Sequence, residues 1–160
     1  MAAKRDRAIM IHDDLLEIAD DLARREEAGR PKQASLRRAI STAYYAVFHA
    51  LAYLCAKELV GWTKEWKFVT PIYRALDHST AKKLFERNRD TYGEDVAEIG
   101  RIFIVLQQER HSADYDPEFS SSRQETVDLI RLARQAVEAT LTLNADKQLL
   151  LAVHLIGRQR

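Results

Sequence analysis

The chain has a single cysteine, Cys55, so no internal disulfide can form. That excludes a disulfide-stapled secreted scaffold and makes a reducing, cytoplasmic setting the natural expectation. Glycine (5) and proline (3) are scarce among 160 residues, which favours helices joined by short connections. An excess of one charge is also missing. Lys and Arg number 25 against 24 Asp and Glu, a formal net charge of +1. Sequence-independent nucleic-acid binders are usually far more basic, so any such contact must come from a local patch. Long hydrophobic runs are lacking too. The longest uncharged stretch, Ser41 to Ala56, is too short to span a bilayer and contains His49. The basic N-terminus meets Asp13 and Asp14 rather than an apolar run, so neither a signal peptide nor a membrane partner is expected. The chain has no CxxC, HExxH, Gly-rich phosphate loop or GxSxG elbow. No metal site and no cofactor are therefore expected.

What is present points to one all-α domain over residues 1–160, an up-and-down bundle of about five to six helices. Hydrophobic residues make up 46% and charged residues 31%, a globular balance. Ile11, Leu15, Ile18 and Leu22 recur at helical steps and predict an amphipathic first helix from about Arg7 to Ala28. The break at Gly29-Arg30-Pro31 ends it. A second helix is predicted from about Lys32 to Val60. It is apolar nearly all round, so it is either the central helix of a bundle or also faces a partner subunit.

Trp62 to Thr70 reads as a connection, with Pro71 opening a short helix from Ile72 to Leu76. Ser79 is the expected cap of a further helix to about Arg87, and residues 88–93 read as a polar loop. Val96, Ile99, Phe103 and Leu106 form one stripe of a helix from Glu94 to about Ser112. Ser121-Ser-Arg-Gln124 resembles a capping box opening a helix to about Leu143. That helix should bury Val127, Ile130, Ala133 or Arg134, Val137 and Leu141. A last helix, at about 146–156, is too apolar to stay solvated and should pack on the bundle or on a second subunit.

Several residues could carry chemistry. Tyr44, Tyr45, Phe48 and Tyr53 read mainly as core, with base stacking as the functional alternative. His49 reads as a satisfied core or interface histidine. Arg110, His111, Asp114 and Tyr115 form the densest polar cluster at a helix end. One reading is structural: an arginine near a helix C-terminus favours the dipole, and Asp-Tyr-Asp-Pro is good turn chemistry. The other is an RNA or nucleotide site, with Arg110 on phosphate and His111 as acid or base. Arg30, Lys32, Arg37 and Arg38 are a basic cluster that could be a solvated face or a phosphate-contacting patch.

Over residues 34–143 the chain resembles the HEPN family, small helical domains linked to nucleotides and RNA. The resemblance rests on Ser41-x-Ala43-Tyr44-Tyr45-Ala46-x-Phe48-His49, on His78 with Phe85 seven residues on, and on Arg110-x-x-Ala113-Asp114-Tyr115. It implies a homodimer that binds RNA, a nucleotide or a nucleotidyltransferase partner. Such a protein would be a component of a toxin–antitoxin or defence-type pair, with Arg110, His111, Asp114, Tyr115, Tyr45, His49, Arg37 and Arg38 as the binding residues. Nuclease members carry Arg, four to six residues, then His. Here the corresponding positions hold Tyr115, Asp116 and Pro117, while His111 follows Arg110 directly. Arg7-x4-His12 has the spacing at the wrong place. Two other readings stand beside this one. The first is a metal-independent ribonuclease using Arg110 and His111 at a dimer-shared site. The second is a non-enzymatic interaction scaffold.

Overall fold

The computed structural model describes residues 11–26, 28–87 and 91–157. Among them it is all-helical, with seven helices: α1 (Ile11–Arg24), α2 (Gln33–Leu59), α3 (Trp66–Ala75), α4 (His78–Arg87), α5 (Glu94–Tyr115), α6 (Arg123–Thr142) and α7 (Ala145–Ile156). The count exceeds the expected five to six because α3 and α4, at 10 residues each, are full members of the bundle. The expected start at Arg7, and with it the Arg7-x4-His12 spacing, lies outside the described residues, as do residues 88–90 of the polar loop.

α2 is the axis. Its 27 residues, roughly 40 Å at 1.5 Å per residue, touch α1, α3, α5, α6 and α7. Ala39, Ala43, Ala46, Ala50, Ala52 and Ala56 are all fully buried, and such small side chains let neighbouring helices approach closely. By length and composition α2 would suffice to cross a membrane, but 78% of its most apolar window is buried inside the chain. Its apolarity is thus accounted for within one subunit and requires no partner. Cys55 lies in the same core, and burial pushes its thiol up to about 12, far from a reactive thiolate.

Several local expectations are corrected. The buried stripe of α1 is His12, Leu16, Ala19 and Ala23. It is rotated by one residue from the expected one, leaving Ile11 and Ile18 exposed. The reason is that α1 lies in the angle between α2 and α6, where small alanines fit. α3 begins at Trp66 and carries Pro71 in its interior instead of at its start. Fully buried Val69 anchors the first turn against the bundle, and Pro71 sits on the exposed face, where water can reach the Lys67 carbonyl that it leaves unpaired. The cap of α4 is Asp77, whose Oδ1 accepts from Thr80 N at 2.8 Å; Ser79 lies inside the helix. That backbone donor lowers the Asp77 pKa. The capping box of α6 is shifted by one residue, to Ser122 and Glu125. Ser122 Oγ accepts from Glu125 N at 3.1 Å, and Glu125 Oε2 accepts from Ser122 N at 2.7 Å. The displaced Ser121 hydroxyl is instead 3.1 Å from Thr126 Oγ1 in the interior. α6 does bury Ile130, Ala133 and Val137, with Arg134 turned out to Asp20 at 2.6 Å.

The last helix forms as expected and packs on α2 and α4. Asn144 caps it, accepting from Lys147 N at 2.9 Å, and Gly157 ends it. α4 and α5 meet closely because residue 100 is glycine. A Cβ there would stand 2.8 Å from Phe85 Cδ1, inside van der Waals contact. This close approach sets the walls of the groove described next.

Candidate functional site

The α5 helix runs one turn beyond the expected Ser112, to Tyr115. Arg110 and Asp114 therefore stand four residues apart on one helical face, with Nη1 and Oδ2 at 3.7 Å. Ser41 Oγ donates to the same carboxylate oxygen at 3.3 Å. The guanidinium lies over the rings of Tyr44 (5.1 Å to the centroid) and Tyr45 (5.8 Å). Its side chain is only 14% exposed. Arg110 Nε is buried and has no acceptor among the described residues. The result is a cation clamped on two aromatic faces, partly neutralised, with donor capacity left over.

Around it stands an aromatic wall. Tyr44 is fully buried and its hydroxyl is 2.6 Å from His78 Nδ1. His78 stacks on Phe48 at 3.9 Å. Gln107 Nε2 donates to the His78 carbonyl at 3.2 Å, while Gln107 Oε1 is buried without a partner. Burial raises the Tyr44 pKa against the opposing pull of Arg110. Burial also lowers the His78 pKa, helped by the Arg110 charge and opposed by Asp77. Both groups are thus neutral at pH 7, and Arg110 supplies the charge at this wall.

The cluster opens into a groove of about 690 Å³ between α4 and α5, whose lining includes His78, Lys82, Gln107, Arg110, His111 and Ser112. Consecutive helix residues project about 100° apart. Arg110 and His111 nonetheless border one groove, Arg110 from the buried side and His111 from the exposed rim. His111 makes no hydrogen bond among the described residues, and its ring lies 5.0 Å from that of Tyr115, which is 68% exposed. Lys82 adds a second cation to the groove, shared with Glu86 at 3.7 Å.

The other sequence candidates fall elsewhere. Tyr45 belongs to the wall, edge-on to Tyr44 at 5.4 Å. His49 does not reach the groove. Its Nδ1 is 2.6 Å from the Tyr73 hydroxyl, in a separate recess beneath α3. Its pKa is lowered by burial and by His12 and His78. Arg38 is exposed and lines no part of the groove. Arg37 is occupied by backbone. Its guanidinium donates to the carbonyls of Ala113 (3.1 Å), Asp116 (2.8 Å), Pro117 (3.3 Å) and Phe119. It closes the end of α5 and the following turn, a structural role that neither sequence reading gave it. His78, Gln107 and Lys82 are site residues that sequence reasoning did not select. His78 was visible only as an anchor at the start of a helix, and nothing local ties it to position 110. Among the described residues no group of three His, Cys, Asp or Glu is placed to hold a metal. No protein-family model, curated protein or solved structure matches the chain.

Proposed function

We propose that this is a HEPN-like protein whose α4–α5 groove binds the phosphate of RNA or a nucleotide. In that reading it acts in the cytoplasm as one component of a toxin–antitoxin or defence-type pair, with a nucleotidyltransferase as its candidate protein partner. One observation carries the binding reading: Arg110 is pre-oriented on Tyr44 and Tyr45 and borders an open groove, with its one ion pair among the described residues, to Asp114, as long as 3.7 Å. Holding a guanidinium rigid lowers the entropy lost when its planar fork meets a phosphate. Lys82, paired with Glu86 in the same groove, adds a second cation beside Arg110.

Fluorescence anisotropy with labelled RNA and with a labelled nucleotide tests this. Arg110→Lys keeps the charge and loses the fork, and is expected to weaken binding by about tenfold, the scale of one charge-assisted hydrogen bond. Unchanged affinity with a lowered Tm would assign Arg110 to packing alone and favour the scaffold reading.

The ribonuclease reading is supported by Arg110 and His111 sharing one groove. A working general base is usually oriented by a third group, and His111 has none among the described residues, so binding is favoured over cleavage. Cleavage that persists in excess chelator and falls about a hundredfold in His111→Ala would reverse this preference.

The homodimer is part of the same proposal, with α5 rather than α2 as its contact. Val105, 43% exposed, and Tyr115 supply apolar surface on α5, whereas α2 is already covered. Light scattering is expected to give twice the 18.4 kDa chain mass at micromolar concentration. A monomer under those conditions removes the dimer and any shared site.

A further inference from the structure

A second recess lies on the other side of Phe48, between the start of α1, the middle of α2, and α3. It has a volume of about 190 Å³ and is lined by Ile11, His49, Trp62, Trp66, Tyr73 and Arg74, with Thr70. The geometry points to this recess as a binding site for a planar heteroaromatic ring carrying an anionic group. It is separate from the Arg110 groove and does not depend on the reading given to that groove.

Size comes first. An apolar cavity of about 150 Å³ holds one benzene ring, and drug-sized ligands take about 300 Å³ or more. The recess therefore admits one ring system and no polymer. Shape comes second. The Trp62 and Trp66 rings meet at 85° with centroids 5.4 Å apart, and Tyr73 stands 6.3 Å from Trp62 at 51°. Three aromatic walls at steep angles form a box, in which a flat ring lies on one face and meets the edges of the others. Trp66 is 39% exposed, so one wall remains open to a ligand.

Charge decides between ligand classes. An aromatic box by itself suits a quaternary ammonium ion. Among the described residues no carboxylate lines the recess, and Arg74 stands at its edge with no ion pair. A cation would be repelled and an anion attracted. Polar matching supports a heteroaromatic ring over a plain one. The His49–Tyr73 hydrogen bond borders the same space. A ring nitrogen or carbonyl of the ligand can hydrogen-bond to this polar pair. The ring sits in the box and its anionic group reaches exposed Arg74.

Trp62 and Trp66 are the chain's only two tryptophans, so intrinsic fluorescence reports on this recess directly. The full chain is titrated with adenosine 5′-monophosphate, nicotinate, adenosine, inorganic phosphate and benzyltrimethylammonium. A saturable emission change is expected for the first two at millimolar concentration or below, with adenosine weaker and phosphate without effect. Tighter binding of the nucleotide assigns the site to nucleotides, and tighter binding of nicotinate assigns it to aromatic carboxylates. Arg74→Gln should weaken both anions about tenfold and leave adenosine unchanged. Trp66→Ala, read through Trp62, should weaken them at least about fivefold. Arg74 and Trp66 are exposed, so both variants should keep their circular dichroism and Tm. The proposal is overturned if neither anion changes the emission, if benzyltrimethylammonium binds tighter than both, or if Arg74→Gln leaves anion affinity intact.

Discussion

Truncation after Leu143 is expected to abolish stable folding. The deletion removes α7, which buries Leu151, Ala152 and Leu155 almost completely and Gln148 to 6% exposure. Losing two buried leucines costs about 2–5 kcal/mol each, against a total stability of about 5–15 kcal/mol for a domain. The α2 surface beneath would be uncovered as well. So would the link from Lys57 Nζ to Gln148 Oε1 (3.1 Å), and the contact between α7 and α4. Circular dichroism during heating should show loss of the cooperative transition, and the truncated chain should aggregate. Leu155→Ala in the full chain is the graded version, expected to lose about 2–4 kcal/mol, or a Tm drop of roughly 5–15 °C for a chain of this size. An unchanged Tm in both would mean that α7 adds nothing to the bundle. The outer face of the same helix keeps Leu149, Leu150 and Val153 exposed, and substitutions there should leave Tm within about 2 °C.

Replacing Arg37 by alanine should destabilise the protein by about 3 kcal/mol, a Tm loss of roughly 6–12 °C. One guanidinium serves four carbonyls, those of Ala113, Asp116, Pro117 and Phe119, and lies 5.5 Å from the Phe119 ring. Hydrogen bonds to a charged group are worth about 1.5–3 kcal/mol each, but two of these carbonyls, those of Asp116 and Pro117, sit where water can partly replace the arginine, so the sum is far from additive. The segment released is the one that follows Asp114 and Tyr115, so the Arg110–Asp114 geometry should loosen with it. Arg37→Lys keeps the charge and cannot span four acceptors, and should recover less than half of the loss. Thermal unfolding of both variants decides the matter. A wild-type Tm in Arg37→Ala, combined with weaker RNA or nucleotide binding, would instead make Arg37 a phosphate ligand.

These two cases show where local sequence signals end. The all-helical class, the central place of residues 33–59, the α5 stripe and the closing helix were legible because each is a property of one helix: its periodicity, its breakers and its apolar width. The capping box was legible to within one residue, since Ser121 and Ser122 are equally good caps and only the packing of Ser121 against Thr126 separates them. The basic pair Arg37 and Arg38 could not be divided from sequence. They are neighbours of identical type, yet one is held by a turn about 80 residues away and the other faces solvent.

Composition and periodicity by themselves determined that this chain is a helical bundle with an aromatic-rich, nearly all-apolar second helix and with Arg110 near the end of another long helix. Tertiary structure alone decided what surrounds that arginine. It placed Tyr44 and Tyr45 against Arg110, brought His78 and Lys82 across from α4, and sent His49 to the tryptophan recess. The physical reason is that helix formation depends on contacts three and four residues apart. Which side chains face one another depends instead on how whole helices pack, as the close approach of Phe85 at Gly100 sets the width of the groove.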